Sequence, residues 1–276
     1  MKNILIVALT AVAIIIGLQT SAQAGPVEDL RAFQDFFRKK FPEVPFDEFS
    51  NGLYALPAAK DQRVEWEEIM QFPPYEADLE IGEKFWVDND LASCFKNGGR
   101  NIAQHYPYWD EGTQMIRTIE LDINECLRRQ GQSELDDLKK GTMAQVVAYM
   151  KSLSRGQRVK LGISGPGALK AYEEGKQFYW SKRGQLNFSC ANCHVDFAGR
   201  FLGGAVLSAG LGHGVGYPAY HSKWGELGTL HRRYAGCNSQ VRAAPFKAQS
   251  RQYRHLEFYE TYMQTGLPLT APSQRF

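Results

Sequence analysis

The pentapeptide Cys190-Ala191-Asn192-Cys193-His194 restricts the folds open to this 276-residue chain more than any other part of its sequence. Two cysteines spaced by two residues and followed directly by a histidine form the attachment signature of haem c. The thiols add to the two vinyl groups of one porphyrin, which leaves His194 beneath the iron as an axial ligand. A redox dithiol would give His194 no role, and no second Cys-x-x-Cys completes a zinc site. We therefore expect one covalently bound haem c.

The first 24 residues have the order of an export signal. Met1-Lys2-Asn3 is positively charged, the run from Ile4 to Leu18 is apolar, and small residues in an Ala-x-Ala pattern end at Ala24. Because the run is short for a membrane span, we favour a signal peptide cleaved after Ala24 over an uncleaved anchor. The sequence predicts a periplasmic protein with no membrane span in its mature form. A net charge of +2 argues against nucleic-acid binding.

A helical pattern occurs twice along the chain. Residues 168–180 predict an amphipathic helix in which Gly175 lets a second helix cross closely. Residues 79–86 repeat the pattern, with Gly82 at the matching position and an aromatic pair after it. Both segments resemble the first helix of a cytochrome c domain.

The first copy of the repeat lacks a complete haem motif. In the register set by the two glycines, Leu91 takes the place of the first haem cysteine and Phe95 that of the histidine, while Cys94 keeps the second cysteine. Neither thioether pair nor axial histidine can form there. The first haem site is therefore expected to be lost.

Apolar spacing predicts a closing helix in each copy, over Met143 to Leu153 and over Leu256 to Met263. Glycine-rich residues 154–156 and 162–167 are expected to form a linker between the copies. The fold class is therefore predicted as mainly α, with two cytochrome c-like helical domains and long loops, the first domain lacking its haem. The predicted boundaries are a signal peptide at 1–24, an N-terminal extension at 25–76, a haemless domain at 77–155 and a haem-binding domain at 156–276.

Five cysteines are an odd number for an exported protein. The haem consumes two of them. Cys94 and Cys126 lie in the haemless repeat of a protein from an oxidising compartment, so we expect a disulfide between them. Cys237 is left without a partner.

The sixth ligand of the iron stays open at this point. His213, His221 and His231 are possible ligands, although surface or loop positions are expected for them, and Met263 is the only methionine after the haem motif. Cys237 can also bind ferric iron as a thiolate. The arginines Arg233 and Arg242 flank it, and such cations lower the pKa of a thiol and attract anions.

Residues 232–243 read Arg-Arg-Tyr-Ala-Gly-Cys-Asn-Ser-Gln-Val-Arg-Ala. Together with the haem pentapeptide and the two-repeat organisation, this segment resembles the SoxA family, the haem-bearing A subunits of SoxAX cytochromes, in its single-haem branch. The resemblance implies an L-cysteine S-thiosulfotransferase that couples thiosulfate oxidatively to a cysteine of the carrier SoxYZ. It also implies a heterodimer with the small cytochrome SoxX and electron transfer to a soluble cytochrome c.

The same resemblance assigns roles to individual residues. Cys237 would be both the axial ligand opposite His194 and a persulfide that handles the substrate sulfur. Arg233 would bind thiosulfate, and Arg242 is a further candidate in the same segment. The rival interpretation is a plain periplasmic electron-transfer cytochrome with His/His or His/Met ligation, in which Cys237 is an inert thiol.

Overall fold

The computed structural model describes residues 25–276, so the predicted signal peptide lies outside the described residues. The chain is mainly helical, which confirms the predicted fold class. No helix of residues 25–276 is both long and apolar enough to cross a membrane. The α-helices are α1 (Pro26–Lys40), α2 (Lys60–Ile69), α3 (Glu76–Asp88), α4 (Ile119–Arg129), α5 (Thr142–Ser152), α6 (Gly165–Trp180), α7 (Leu230–Gln240) and α8 (Arg251–Met263).

Short strands connect the helices. Strands of two or three residues are too short for a sustained alternation of apolar and polar positions, which explains why the sequence shows none. β1 pairs with β2 and β3 with β4 as antiparallel hairpins, while β5 lies between antiparallel β6 and parallel β7. The strands are β1 (Tyr108–Asp110), β2 (Met115–Arg117), β3 (Phe201–Leu202), β4 (Ala205–Val206), β5 (Ala219–His221), β6 (Glu226–Gly228) and β7 (Ser273–Arg275).

Two helix pairs share one construction. α3 packs on α5, and a Cβ atom added at Gly82 would lie 2.2 Å from the carbonyl oxygen of Gln145. α6 packs on α8, and a Cβ atom at Gly175 would lie 2.0 Å from the carbonyl oxygen of His255. Any side chain at either glycine would hold the helices apart. The predicted close crossings at both glycines are confirmed.

The glycine-rich linker is shorter than predicted. Gly165, Pro166 and Gly167 form the first turn of α6 instead of a connecting loop. Proline is favourable there because the first helical residues have no intrahelical partner for an N–H group. Gly167 leaves room for the indole of Trp109, which a Cβ atom would approach to 2.2 Å. Helix-breaking composition was misleading at a helix start.

Side chains fill the space of the missing haem in the first repeat. Leu91 is fully buried, and the ring of Phe95 lies 5.2 Å from that of Trp86. Cys94 and Cys126 form the predicted disulfide, with their Cα atoms 5.8 Å apart and 32 residues between them in sequence. This half of the chain is therefore held by a covalent link and an apolar cluster.

The N-terminal segment packs against the second helix pair. The ring of Phe33 on α1 lies 6.3 Å from that of Tyr179 on α6. The carboxylate of Asp29 accepts hydrogen bonds from the Tyr172 hydroxyl at 2.8 Å and from Lys176 at 2.5 Å. Residues that gave no chemical signal in the sequence thus brace the helix that precedes the haem motif.

Candidate functional site

A cleft of about 300 Å³ opens between α6, α7, α8 and the haem pentapeptide. Its walls bring together residues from the haem motif, from the Cys237 segment and from the closing helix. At its mouth Phe197, Phe201 and Leu202 expose apolar side chains, each close to half exposed or more. The residues that carry its chemistry are Tyr179, Cys190, Cys193, His194, His213, Arg233, Tyr234, Cys237 and Glu260.

His194 is buried and oriented as a metal ligand. Its Nδ1 lies 3.0 Å from the carbonyl oxygen of Ser208, so the ring donates from Nδ1 and keeps Nε2 free for coordination. Burial, followed by the neighbouring His213, holds the pKa of His194 well below its ordinary value. A neutral imidazole is the form that binds iron.

Cys190 and Cys193 lie in a short, tightly wound segment around His194. Both thiols are free, and burial followed by the proximity of Cys237 raises the pKa of Cys190 to about 12. Lys40 of α1 fixes the end of the segment, because its Nζ donates to the carbonyl oxygens of Val195 at 2.7 Å and Asp196 at 2.8 Å.

Cys237 and Arg233 lie one turn apart on α7 and face the same cleft. The Cys237 thiol is free and half-buried. Its proximity is the largest cause of the raised pKa of Arg233, and no carboxylate of residues 25–276 contributes to that shift. A guanidinium without a paired acid, next to a sulfur, is suited to bind an oxyanion.

The cleft residues fit a haem c. Two thiols and an imidazole with a free Nε2 lie on one side, and a third thiol lies opposite on α7. The Tyr179 hydroxyl is buried without a hydrogen-bond partner in the described chain, so a polar group of the wall is left for an occupant. Within residues 25–276 there is no cluster of three or more His, Cys, Asp or Glu for a bare metal ion.

The alternative ligands lie elsewhere or have partners. His213, His221 and His231 are all buried, which corrects the expectation of surface positions. His221 bonds the Tyr217 hydroxyl at 2.9 Å, and His231 Nε2 lies 3.0 Å from a carboxylate oxygen of Glu257. Buried imidazoles need such partners because an unpaired polar group in the core is costly.

Met263 and Arg242 lie outside the cleft wall. Met263 is buried at the end of α8. Arg242 follows α7 with a left-handed backbone, φ 57°, and its side chain is exposed. Only His213 and Cys237, of the candidate sixth ligands, line the cleft with His194.

Sequence reasoning missed Glu260, which lies 2% exposed in the cleft wall. It receives hydrogen bonds from His213 and Tyr234. A signal was present, because Glu260 interrupts the apolar stripe of the closing helix between Tyr259 and Met263. A charged residue on a buried helix face requires partners from elsewhere in the fold.

The chain is 47% identical over 252 residues to the L-cysteine S-thiosulfotransferase subunit SoxA of Chlorobaculum tepidum, a match that covers 90% of this chain and 87% of the relative. It belongs to the SoxA family. The SoxA subunit of Allochromatium vinosum is 46% identical over 259 residues, which is 91% of each chain. Membership of the SoxA family confirms the activity class predicted from the sequence.

The other two comparisons agree. The family model described as the cytochrome c domain of SoxA/TsdA matches residues 83–159, the segment in which Leu91 and Phe95 replace haem-binding residues. A crystal structure of SoxXA from P. pantotrophus matches with a TM-score of 0.67 and 30% identity, covering 74% of this chain and 79% of that one. The haem c expected from a cytochrome c domain is consistent with both.

Proposed function

We propose that this chain is the SoxA-type subunit that joins thiosulfate to a cysteine of the SoxYZ carrier in the periplasm. Thiosulfate and the carrier thiol form one sulfur–sulfur bond, and the products are a carrier S-thiosulfonate, one proton and two electrons. The observation that carries the proposal is that Cys237, Arg233 and the haem pentapeptide share one cleft. SoxA relatives that match about nine-tenths of the chain support it.

One haem c is held by four residues in this proposal. Cys190 and Cys193 form the thioethers, His194 Nε2 is one axial ligand and the Cys237 sulfur is the other. When bound, haem c takes up electrons singly and passes them on. The low pKa of His194 keeps its imidazole neutral for coordination, and Lys40 keeps the attachment segment in place.

Arg233 binds the substrate anion. A planar guanidinium offers paired N–H donors to the oxygens of a sulfonate group. Its position one helical turn before Cys237 places the terminal sulfur of thiosulfate toward the Cys237 sulfur. Cys237 reacts as a persulfide, whose outer sulfur extends beyond the anchored one. Arg242, exposed beyond α7, has at most an outer role in attracting anions.

The partners follow from the relatives. The SoxXA title supports a heterodimer with a SoxX-type cytochrome, which passes electrons to a soluble cytochrome c. We place the haemless domain at 77–155 and the haem-binding domain at 156–276, with 25–76 as an extension. The exposed apolar residues at the cleft mouth, Phe197, Phe201 and Leu202, suit contact with a partner or the carrier arm.

Replacing Cys237 by alanine tests the proposal. Thiosulfate turnover with SoxYZ should fall to background, and the low-spin ferric electron paramagnetic resonance signal of thiolate ligation should disappear. Ser239→Ala on the same helix is the control, because its side chain is exposed and bonds only the Ala235 carbonyl at 3.1 Å. Full activity of Cys237→Ala would reduce the protein to a plain electron carrier.

A further inference from the structure

The carboxylate of Glu260 is a buried charge in the wall of the cleft. Only 2% of its side chain is exposed. Removing a carboxylate from water costs several kcal/mol unless its partners offset the loss. No lysine or arginine of residues 25–276 forms an ion pair with it, so the charge is not cancelled by a permanent cation.

Two donors hold this carboxylate. His213 Nδ1 lies 2.5 Å from Oε1, and the Tyr234 hydroxyl donates to Oε2. Burial and the carboxylate itself hold the pKa of Tyr234 well above its ordinary value, so the phenol keeps its proton and acts as the donor. A carboxyl group that accepts at both oxygens fits the ionised form.

The network reaches the haem ligand through His213. The rings of His213 and His194 stack with their centroids 4.3 Å apart. Gln264, one turn after Glu260, fixes the loop that carries His213. Its side chain donates to the carbonyl oxygen of Gly210 at 2.9 Å and accepts from the N–H of Gly212. His213 is thereby held between the carboxylate and the histidine.

We propose that Glu260 is a positioning residue that lowers the reduction potential of the haem through a fixed negative charge and orients His213 against His194. The inference rests on the proposed haem site. The oxidised haem carries one more positive charge than the reduced haem, and a buried anion in the same wall favours the oxidised form in a medium of low dielectric constant.

The test is the midpoint potential of the haem-loaded chain at pH 7, measured spectroelectrochemically without thiosulfate or carrier. Glu260→Gln keeps the shape but removes the charge, and the ratio of reduced to oxidised haem at a given applied potential should rise at least tenfold, which is 59 mV for one electron. Glu260→Asp keeps the charge and should stay near the wild type. An unchanged potential in Glu260→Gln would overturn the proposal and would indicate that a protonated His213 already neutralises the carboxylate.

Tyr234→Phe provides the opposite sign. It removes a donor and leaves the carboxylate, so the potential should fall or stay, and a rise would overturn the proposal even if Glu260→Gln does not load haem. A merely structural role predicts lower melting temperatures without an ordered shift of potential. Electron paramagnetic resonance of each variant reports Cys237 ligation separately, so a failure of the proposed axial pair is distinguishable from a failure of the Glu260 assignment.

Discussion

Arg233→Ala is the sharpest test of the anion site. Arg233 is half-buried in the cleft wall, lies one turn from Cys237 and has no carboxylate that contributes to its pKa shift. Its guanidinium is therefore free to form charge-assisted hydrogen bonds with thiosulfate. Each hydrogen bond to a charged group contributes about 1.5–3 kcal/mol. Loss of one such bond should raise the KM for thiosulfate about 10- to 150-fold.

Steady-state kinetics of the complex with thiosulfate, carrier and an electron-accepting cytochrome measure the effect. Arg232→Ala is the matched control, because it removes the same charge from the same helix. Arg232 faces away from the cleft, pairing with Glu226 at 3.0 Å and stacking over the Trp224 ring at 4.2 Å. Arg233→Lys should lie between the two, since it keeps the charge and loses the planar fork.

Two results would refute the anion-site assignment. One is a KM of Arg233→Ala within about twofold of the wild type. The other is an equal increase in Arg232→Ala, which would indicate a long-range electrostatic field instead of a bound anion. High salt separates these cases, because it screens a field over the surface more than a contact inside the cleft.

Three further substitutions probe the frame around the cleft. Replacing Cys94 and Cys126 together by serine should lower the free energy of unfolding by about 3 kcal/mol in chemical denaturation, and an unchanged midpoint would contradict this expectation. Gly175→Ala should cost about 3 kcal/mol or more, because its Cβ atom would lie 2.0 Å from a backbone oxygen of α8. Gly236→Ala has no atom within 4 Å and is the control; equal melting temperatures for the two variants would refute the packing argument. His221→Asn should flatten the acid dependence of stability. Burial, and then Arg233, lowers the pKa of His221 from 6.5 to about 3, so the unfolded state binds more protons between these values. Stability is lost as the pH falls through this range, at up to about 1.4 kcal/mol per unit, and an unaltered slope in the variant would exclude His221 as the cause.

Features with a local origin could be predicted from the sequence. The haem pentapeptide is set by covalent chemistry, and the helices follow from apolar spacing over ten to fifteen residues. The disulfide followed from counting thiols, because two of the five were already consumed. Gly82 and Gly175 could be matched because a close helix crossing needs glycine at a definite point of the helix.

Long-range contacts could not be predicted in this way. Lys40 reaches the carbonyl of Val195 across 155 positions of sequence, and nothing near Lys40 indicates that partner. His213 and Glu260 are 47 residues apart and meet only because α8 returns over the loop. Arg242 shows the converse: its nearness to Cys237 in sequence does not bring it into the cleft wall, since the chain leaves α7 at a left-handed residue.

The two glycine crossings have a consequence for how redox centres are gained and lost on this scaffold. Backbone contacts at Gly82 and Gly175 set the spacing of each helix pair, and these contacts involve no haem. One pair encloses Leu91, Phe95 and a disulfide, whereas the other leaves an open cleft beside three thiols. What occupies the space is therefore decided by a handful of side chains. Point substitutions suffice to exchange a prosthetic group for aromatic rings, with no change of architecture.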